Sequence, residues 1–152
     1  MDMLKVGYSV PNNKFNDHLG KSHSLEDYRG VKIILFFYPR ANTPGCTAEA
    51  CNLRDNYNDL IDKGYVIFGI SGDNISQQYK FAKKYSFPYL LIADSNKELI
   101  NTFGVWGPKK FQGKEYEGIH RTTFIIDEKG IISRVIQKVK TKDHASQILE
   151  DS

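Results

Sequence analysis

The stretch Val31-Lys32-Ile33-Ile34-Leu35-Phe36-Phe37-Tyr38 constrains this chain more than any other. It is almost continuously apolar, the pattern of a strand covered on both faces rather than one that alternates between core and water. Other elements must therefore lie above and below it. The residues that follow, Pro39-Arg40-Ala41-Asn42-Thr43-Pro44-Gly45-Cys46, carry two prolines that end the strand and stiffen a loop. Over residues 45–63 the period becomes helical, with Cys46, Ala50, Leu53, Tyr57 and Leu60 on one stripe at spacings of four and three. The chain thus passes from a doubly buried strand, through a rigid turn, into a helix whose first turn holds Cys46 on its core side.

Elements on either side extend this pattern. Residues 14–24, with a turn at Gly20, predict an N-terminal β-hairpin, and residues 65–71 a second buried-type strand. Ile75, Tyr79 and Ala82 predict a helix capped by Asp73 or Asn74 and ended before Pro88. Residues 89–93 read as a strand, and residues 97–103 as a short helix capped by Asp94 or Ser95 and closed by Gly104. Residues 123–127 and 131–136 flank a tight turn, and a last helix covers 142–150. Strands alternating with helices, then a hairpin and a final helix, specify a single α/β domain over 1–152 with a central mixed sheet flanked by helices.

Composition excludes several function classes. With 21 Lys and Arg against 18 Asp and Glu, the net charge of +3 is too small to track a nucleic-acid backbone. Lys83-Lys84, Lys109-Lys110 and the basic stretch at 138–142 read as solvated surface. The longest apolar run is too short to cross a bilayer, and Met1-Asp2-Met3-Leu4-Lys5 has no secretory pattern, so no membrane and a cytoplasmic location are expected. The motifs for dinucleotide, phosphate-loop and Cys-x-x-Cys chemistry are missing. His18, His23, His120 and His144 are isolated in sequence and expected at the surface, without zinc spacing to the cysteines. Asn74-Ile75-Ser76 matches a glycosylation sequon, which has no role without a secretory signal.

The chain has two cysteines, and in a reducing compartment such a pair is more often catalytic, metal-binding or simply buried than structural. At a helix start, Cys46 faces unpaired backbone N–H groups and the positive end of the helix dipole, which favour a thiolate. An unperturbed thiol is only about 3% ionised at pH 7, and a shift to a pKa of about 6 raises this roughly thirtyfold. Fast chemistry on an electrophile needs further donors to the charge that develops in the transition state. Thr43 Oγ and the Cys46 backbone N–H are placed to supply them.

Pro39, Thr43 and Cys46 form a Pro-x-x-x-Thr-x-x-Cys signature that resembles the active site of peroxiredoxins, the cysteine-dependent peroxidases. Phe37-Tyr38-Pro39, Asn42-Thr43-Pro44-Gly45-Cys46-Thr47, Glu49-Ala50-Cys51 and Arg54-Asp55 are similar to the bacterioferritin comigratory protein, or Q-type, branch. The block at 118–127, Gly-Ile-His-Arg-Thr-Thr-Phe-Ile-Ile-Asp, resembles that branch's second block. The resemblance implies a thioredoxin-like fold, a peroxide substrate attacked by Cys46, and Arg121 as the arginine at the site, with Glu49 in a supporting role. It also implies Cys51 as the resolving thiol, recycling by thioredoxin or a similar dithiol, no cofactor or metal, and a monomer. Gly7-Tyr8-Ser9-Val10-Pro11 and Arg40-Ala41 depart from the branch's usual pattern, away from these positions.

Cys51 follows Cys46 by five residues, about 140° round a helix and roughly 8–9 Å away at Cα. A disulfide needs Cα atoms within about 7 Å, so the pair can join only if the first turns unwind. A different class of reading is a thioredoxin-fold redox sensor or copper chaperone using the pair as switch or ligands; the lack of a histidine ligand beside the cysteines weighs against copper. Repeated turnover would separate an enzyme from a sensor.

Overall fold

The apolar run forms β3 (Lys32–Phe37), interior to a seven-stranded mixed sheet. The computed structural model describes residues 3–150. Strand β4 (Tyr65–Ser71) pairs parallel to β3, and β5 (Leu90–Ala93) pairs parallel to β4. On the other edge of β3, β8 (Thr122–Ile126) runs antiparallel, followed by antiparallel β9 (Ile132–Ile136). The expected N-terminal hairpin, β1 (Lys14–Asp17) with β2 (Ser22–Ser24), adds to the free edge of β5.

Alternate residues of β3 enter two separate cores, which is why the strand is apolar throughout. Ile34 and Phe36 face α1 (Pro44–Asp55), α2 (Tyr57–Asp62), α3 (Ile75–Tyr85) and α5 (His144–Glu150), whose Cys46, Leu53, Leu60, Phe81 and Ile148 share that core. Ile33, Leu35 and Phe37 face the opposite side, packed with Leu99, Ile100 and Phe103 of α4 (Glu98–Phe103) and with Val10, Phe15 and Leu25. Each such buried side chain stabilises the fold by roughly 1.5–3 kcal/mol.

The single helix expected over 45–63 is two helices. Asn56 (φ −109°, ψ 19°) breaks it, and its side-chain amide donates to the Asn52 carbonyl at 2.8 Å, competing with the backbone for that acceptor. Of the two possible caps for α3, Asn74 takes the position, in a reciprocal capping box with Gln77. At α4, Lys97 is the boundary residue, while the Asp94 carboxylate accepts from the Leu99 and Ile100 N–H groups at 3.2 and 2.8 Å. The last helix begins at His144 rather than residue 142. One hairpin escaped the sequence reading: β6 (Trp106–Phe111) with β7 (Lys114–Ile119), joined at Gln112-Gly113 with φ of 52° and 79°. Its strands bury little on either face, so they carry no apolar alternation to read.

Topology brings distant segments to one end of the sheet. The β3–β8 register sets Thr122 opposite Phe37, so Arg121, the residue before β8, arrives where β3 gives way to the loop and α1.

Gly69 tests the packing on the α1 side. It pairs with Phe36, and a Cβ there would stand 2.6 Å from the Phe36 ring and 2.9 Å from Leu91 Cδ2. The Phe36 ring is itself held against those of Tyr38 and Tyr89. Gly69→Ala is therefore expected to destabilise the fold by about 1–3 kcal/mol in urea unfolding at unchanged m-value. An unchanged midpoint would show that the two layers are packed more loosely than described.

Candidate active site

The loop between β3 and α1 is tied down by side chains from neighbouring strand ends and helices. Asp73, just after β4, accepts the Ala41 N–H at 2.7 Å and the Ser71 hydroxyl at 2.5 Å. Asn42 adopts φ 62°, and its side-chain oxygen accepts from the Tyr85 hydroxyl at 3.2 Å and Lys84 Nζ at 3.4 Å, both on α3. Pro39 is half-buried at the exit of β3. Thr43 is the N-cap of α1, with Pro44 behind it. The donation expected from Thr43 Oγ into the site is not made, because the hydroxyl donates to the Arg40 carbonyl at 2.9 Å. Its oxygen lone pairs remain available as acceptors. No side chain caps this helix start among the described residues; the Thr47 N–H reaches the Thr43 carbonyl at 2.8 Å, while the N–H groups of Gly45 and Cys46 ahead of it find no partner there.

Cys46 is buried, and Arg121 Nη2 donates to its Sγ at 3.5 Å. The same guanidinium donates from Nη1 to Glu49 Oε1 at 2.7 Å. Burial works against the charge on Arg121, but the Cys46 sulfur and the Glu49 carboxyl beside it hold the guanidinium above its ordinary pKa. Gly45 makes the approach possible: a Cβ there would sit 3.2 Å from Arg121 Nη2. Lys109, expected as solvated surface with Lys110, is half-buried instead and donates to the Ile119 carbonyl at 2.8 Å. Burial and then repulsion from Arg121 lower its pKa.

Behind Arg121 lies a pairing of Glu49 with His144 that sequence reasoning missed, although it gave Glu49 a supporting role. Glu49 is fully buried, and burial pushes its carboxyl up to about 7 against the pull of Arg121. Its second oxygen, Oε2, has no hydrogen-bond partner among the described residues and faces His144 Nε2 at 3.5 Å. His144 contradicts the surface expectation, being fully buried with its pKa lowered to about 4, chiefly by burial. His18 and His23 are buried as well, while His120 alone is exposed. A signal for His144 existed, since it stands four residues before the core residue Ile148 on one helix face.

Cys51 lies further along α1, half-buried, and both cysteines are free thiols in an unbroken helix turn. Burial raises the Cys51 pKa, with Arg54 acting in the opposite sense. Asn52, the next residue, holds α5 in place: its amide donates to the Lys142 carbonyl at 3.0 Å and its oxygen accepts the Ala145 N–H at 2.8 Å.

Comparison with known proteins gives the chain's relatives. The AhpC/TSA family profile matches residues 6–135. Peroxiredoxin Bcp of Bacillus subtilis is 40% identical over 147 residues, covering 97% of this chain and 94% of its own. The crystal structure of peroxidoxin BcpB from Mycobacterium tuberculosis has a TM-score of 0.85 at 34% identity, covering 98% of this chain and 96% of that one. The bacterioferritin comigratory protein of Xanthomonas campestris, described for its alkyl peroxide reduction activity, has a TM-score of 0.86 at 28% identity, covering 91% and 88%. The sheet and its flanking helices have the thioredoxin-like layout expected from the sequence.

The buried pair leaves a mark on stability. Glu49 holds its proton more tightly in the folded chain, so its contribution is complete below its ordinary value of 4.5 and is lost as pH rises through about 7. His144 acts in reverse: its contribution is complete above 6.5 and is lost as pH falls through about 4. Between pH 4.5 and 6.5 the two slopes oppose each other. Glu49→Gln removes one of them, so urea unfolding of the variant should weaken on acidification across this window by on the order of 1–3 kcal/mol more than the parent does. Parallel pH profiles for the two proteins would contradict the opposed shifts.

Proposed function

Since this chain belongs to the AhpC/TSA family, among the Bcp peroxiredoxins, we propose that it is a thiol peroxidase in which Cys46 is the nucleophile and Arg121 its charge partner. The observation that supports this most is one guanidinium, 3.5 Å from a buried cysteine sulfur at an uncapped helix start. The Cys46 thiolate attacks the outer peroxide oxygen, an S–O bond forms, and the O–O bond breaks. Sulfur is oxidised to the sulfenic acid, and the leaving oxygen takes a proton as water or an alcohol. Arg121 and the first-turn N–H groups stabilise charge moving onto that oxygen, while Thr43 Oγ accepts from the peroxide hydroxyl. Pro39 and Pro44 shape the loop and limit competing water.

Cys51 then resolves the intermediate. Its thiolate attacks the Cys46 sulfur, the S–S bond forms, and the oxygen leaves as water. One chain carries both thiols, so a monomer suffices, and a dithiol such as thioredoxin returns the disulfide to two thiols. Among the described residues no helix is long and apolar enough to cross a membrane, and the proposed setting is the cytoplasm.

Peroxide consumption coupled to thioredoxin, thioredoxin reductase and NADPH tests these roles. Cys46→Ser is expected to lower turnover by about three orders of magnitude or more, whereas Cys51→Ser should consume about one peroxide per chain and then stall. Near-parental rates for Cys46→Ser would remove the nucleophile from this site. Resolution also requires α1 to open, because the two thiols cannot meet across five helical residues. In the oxidised protein, amides of residues 46–54 should lose hydrogen-exchange protection while the strands keep theirs. The Ala145 amide, held by the Asn52 side chain, should lose protection with them. A 46–51 disulfide with α1 fully protected would exclude the opening step.

A further inference from the structure

Hydrogen-bond directions around His144 fix where its ring hydrogen sits. Gln147 takes the Lys140 N–H on Oε1 at 2.8 Å and donates Nε2 to the Lys138 carbonyl at 2.9 Å. Turning the amide over would set donor against donor and acceptor against acceptor, so the oxygen is the atom facing His144 Nδ1, at 2.8 Å. Nδ1 therefore carries a hydrogen. In the neutral ring Nε2 is then a bare acceptor. Around Nε2 stand Thr123 Oγ1 at 2.7 Å and the orphaned Glu49 Oε2 at 3.5 Å.

The Thr123 hydroxyl has one hydrogen, which serves its short contact with Nε2. A bare Glu49 carboxylate oxygen would then face the imidazole lone pair with no hydrogen between them, in a buried site. One additional proton resolves the conflict. We propose that this proton resides on Glu49 Oε2, sharing the His144 Nε2 lone pair with the Thr123 hydroxyl, and that His144 is thereby a positioning residue for the peroxidase reaction. Glu49 then accepts from Arg121 as a neutral acid, which leaves the guanidinium charge to the Cys46 sulfur and the peroxide oxygen. The role rests on the Cys46–Arg121 chemistry proposed above, but the location of the proton does not.

The charges facing the pair favour the same placement. Arg121, ahead of β8, and Arg134, on β9, both oppose a second positive charge on the His144 ring. Arg121 pulls toward a charged Glu49, but burial of the carboxyl outweighs it. Cys46, on the Arg121 side, adds negative charge whenever its sulfur is a thiolate, and so also favours a neutral Glu49.

The test uses the reduced full chain. Nitrogen-15 NMR at pH 6 should find His144 neutral with hydrogen on Nδ1, and an infrared difference between the parent and Glu49→Gln should show the loss of a buried carboxylic-acid carbonyl band. His144→Gln presents an amide donor to both Thr123 Oγ1 and Glu49 Oε2, which favours the carboxylate. Its acid band should disappear, and its second-order rate with hydrogen peroxide should fall about tenfold. A ring protonated on both nitrogens, a ring hydrogen on Nε2 alone, or no acid band in the parent would overturn the proton placement. Loss of the band at an unchanged rate would overturn the positioning role. Should His144→Gln fail to fold, the two spectroscopic results on the parent and Glu49→Gln still decide the placement. Full turnover in Cys46→Ser would instead sink the peroxidase reading and leave the spectra untouched.

Discussion

The site depends on one buried guanidinium that must serve two acceptors at once. Arg121 reaches Cys46 Sγ at 3.5 Å and Glu49 Oε1 at 2.7 Å. Removing a charge from water costs several kcal/mol unless its partners are well placed, and each acceptor here contributes to that compensation. When Cys46 is a thiolate, a charged Glu49 would leave the cluster one negative charge in excess inside the protein. A neutral Glu49 lets arginine and sulfur balance. The burial that pushes Glu49 up to about 7 therefore works in favour of the chemistry proposed at sulfur.

The helix that presents Cys46 is held more by its neighbours than by itself. Its start has no side-chain cap and includes Gly45, and Asn56 ends it after twelve residues. A missing cap costs a helix about 0.5–2 kcal/mol, and a glycine within it about 1 kcal/mol more. External ties compensate: Arg121 on the first turn and Asn52 on the α5 start. In the proposed cycle, oxidation changes the sulfur that Arg121 holds, and opening past Cys51 reaches Asn52. Low intrinsic helix stability and strong external ties together describe a segment suited to open when its chemistry changes.

Legibility in the sequence followed the physics of periodicity. The doubly apolar β3, the start of α1 and the β8–β9 hairpin all had a repeat that matched their burial, and the structure places them within a residue or two. The β6–β7 hairpin had no such repeat because it is mostly exposed. Asn56 broke a helix through a side-chain hydrogen bond, which leaves apolar spacing intact. The burial of His18 and His23 was invisible for a related reason: a histidine is buried when partners satisfy its nitrogens, and those partners come from other segments. His144 had the spacing of a core position, but Thr123, which satisfies its Nε2, also comes from another segment. Arg121 was identified only through the resemblance of its block to a known family.

By itself, the sequence determined the elements whose cause is local: a strand apolar on both faces, a proline-bounded loop, and a helix that begins by placing a cysteine on its core side. Those outcomes depend on side-chain spacing and on restricted backbone angles, which act over a few residues. Only the tertiary structure decided the company that cysteine keeps. The β3–β8 register carries Arg121 to the helix start, Gly45 leaves it room, and α5 folds back to set His144 against Glu49. Electrostatics and desolvation act through space across segments far apart in the chain, so charge and proton at this site are properties of the assembled fold.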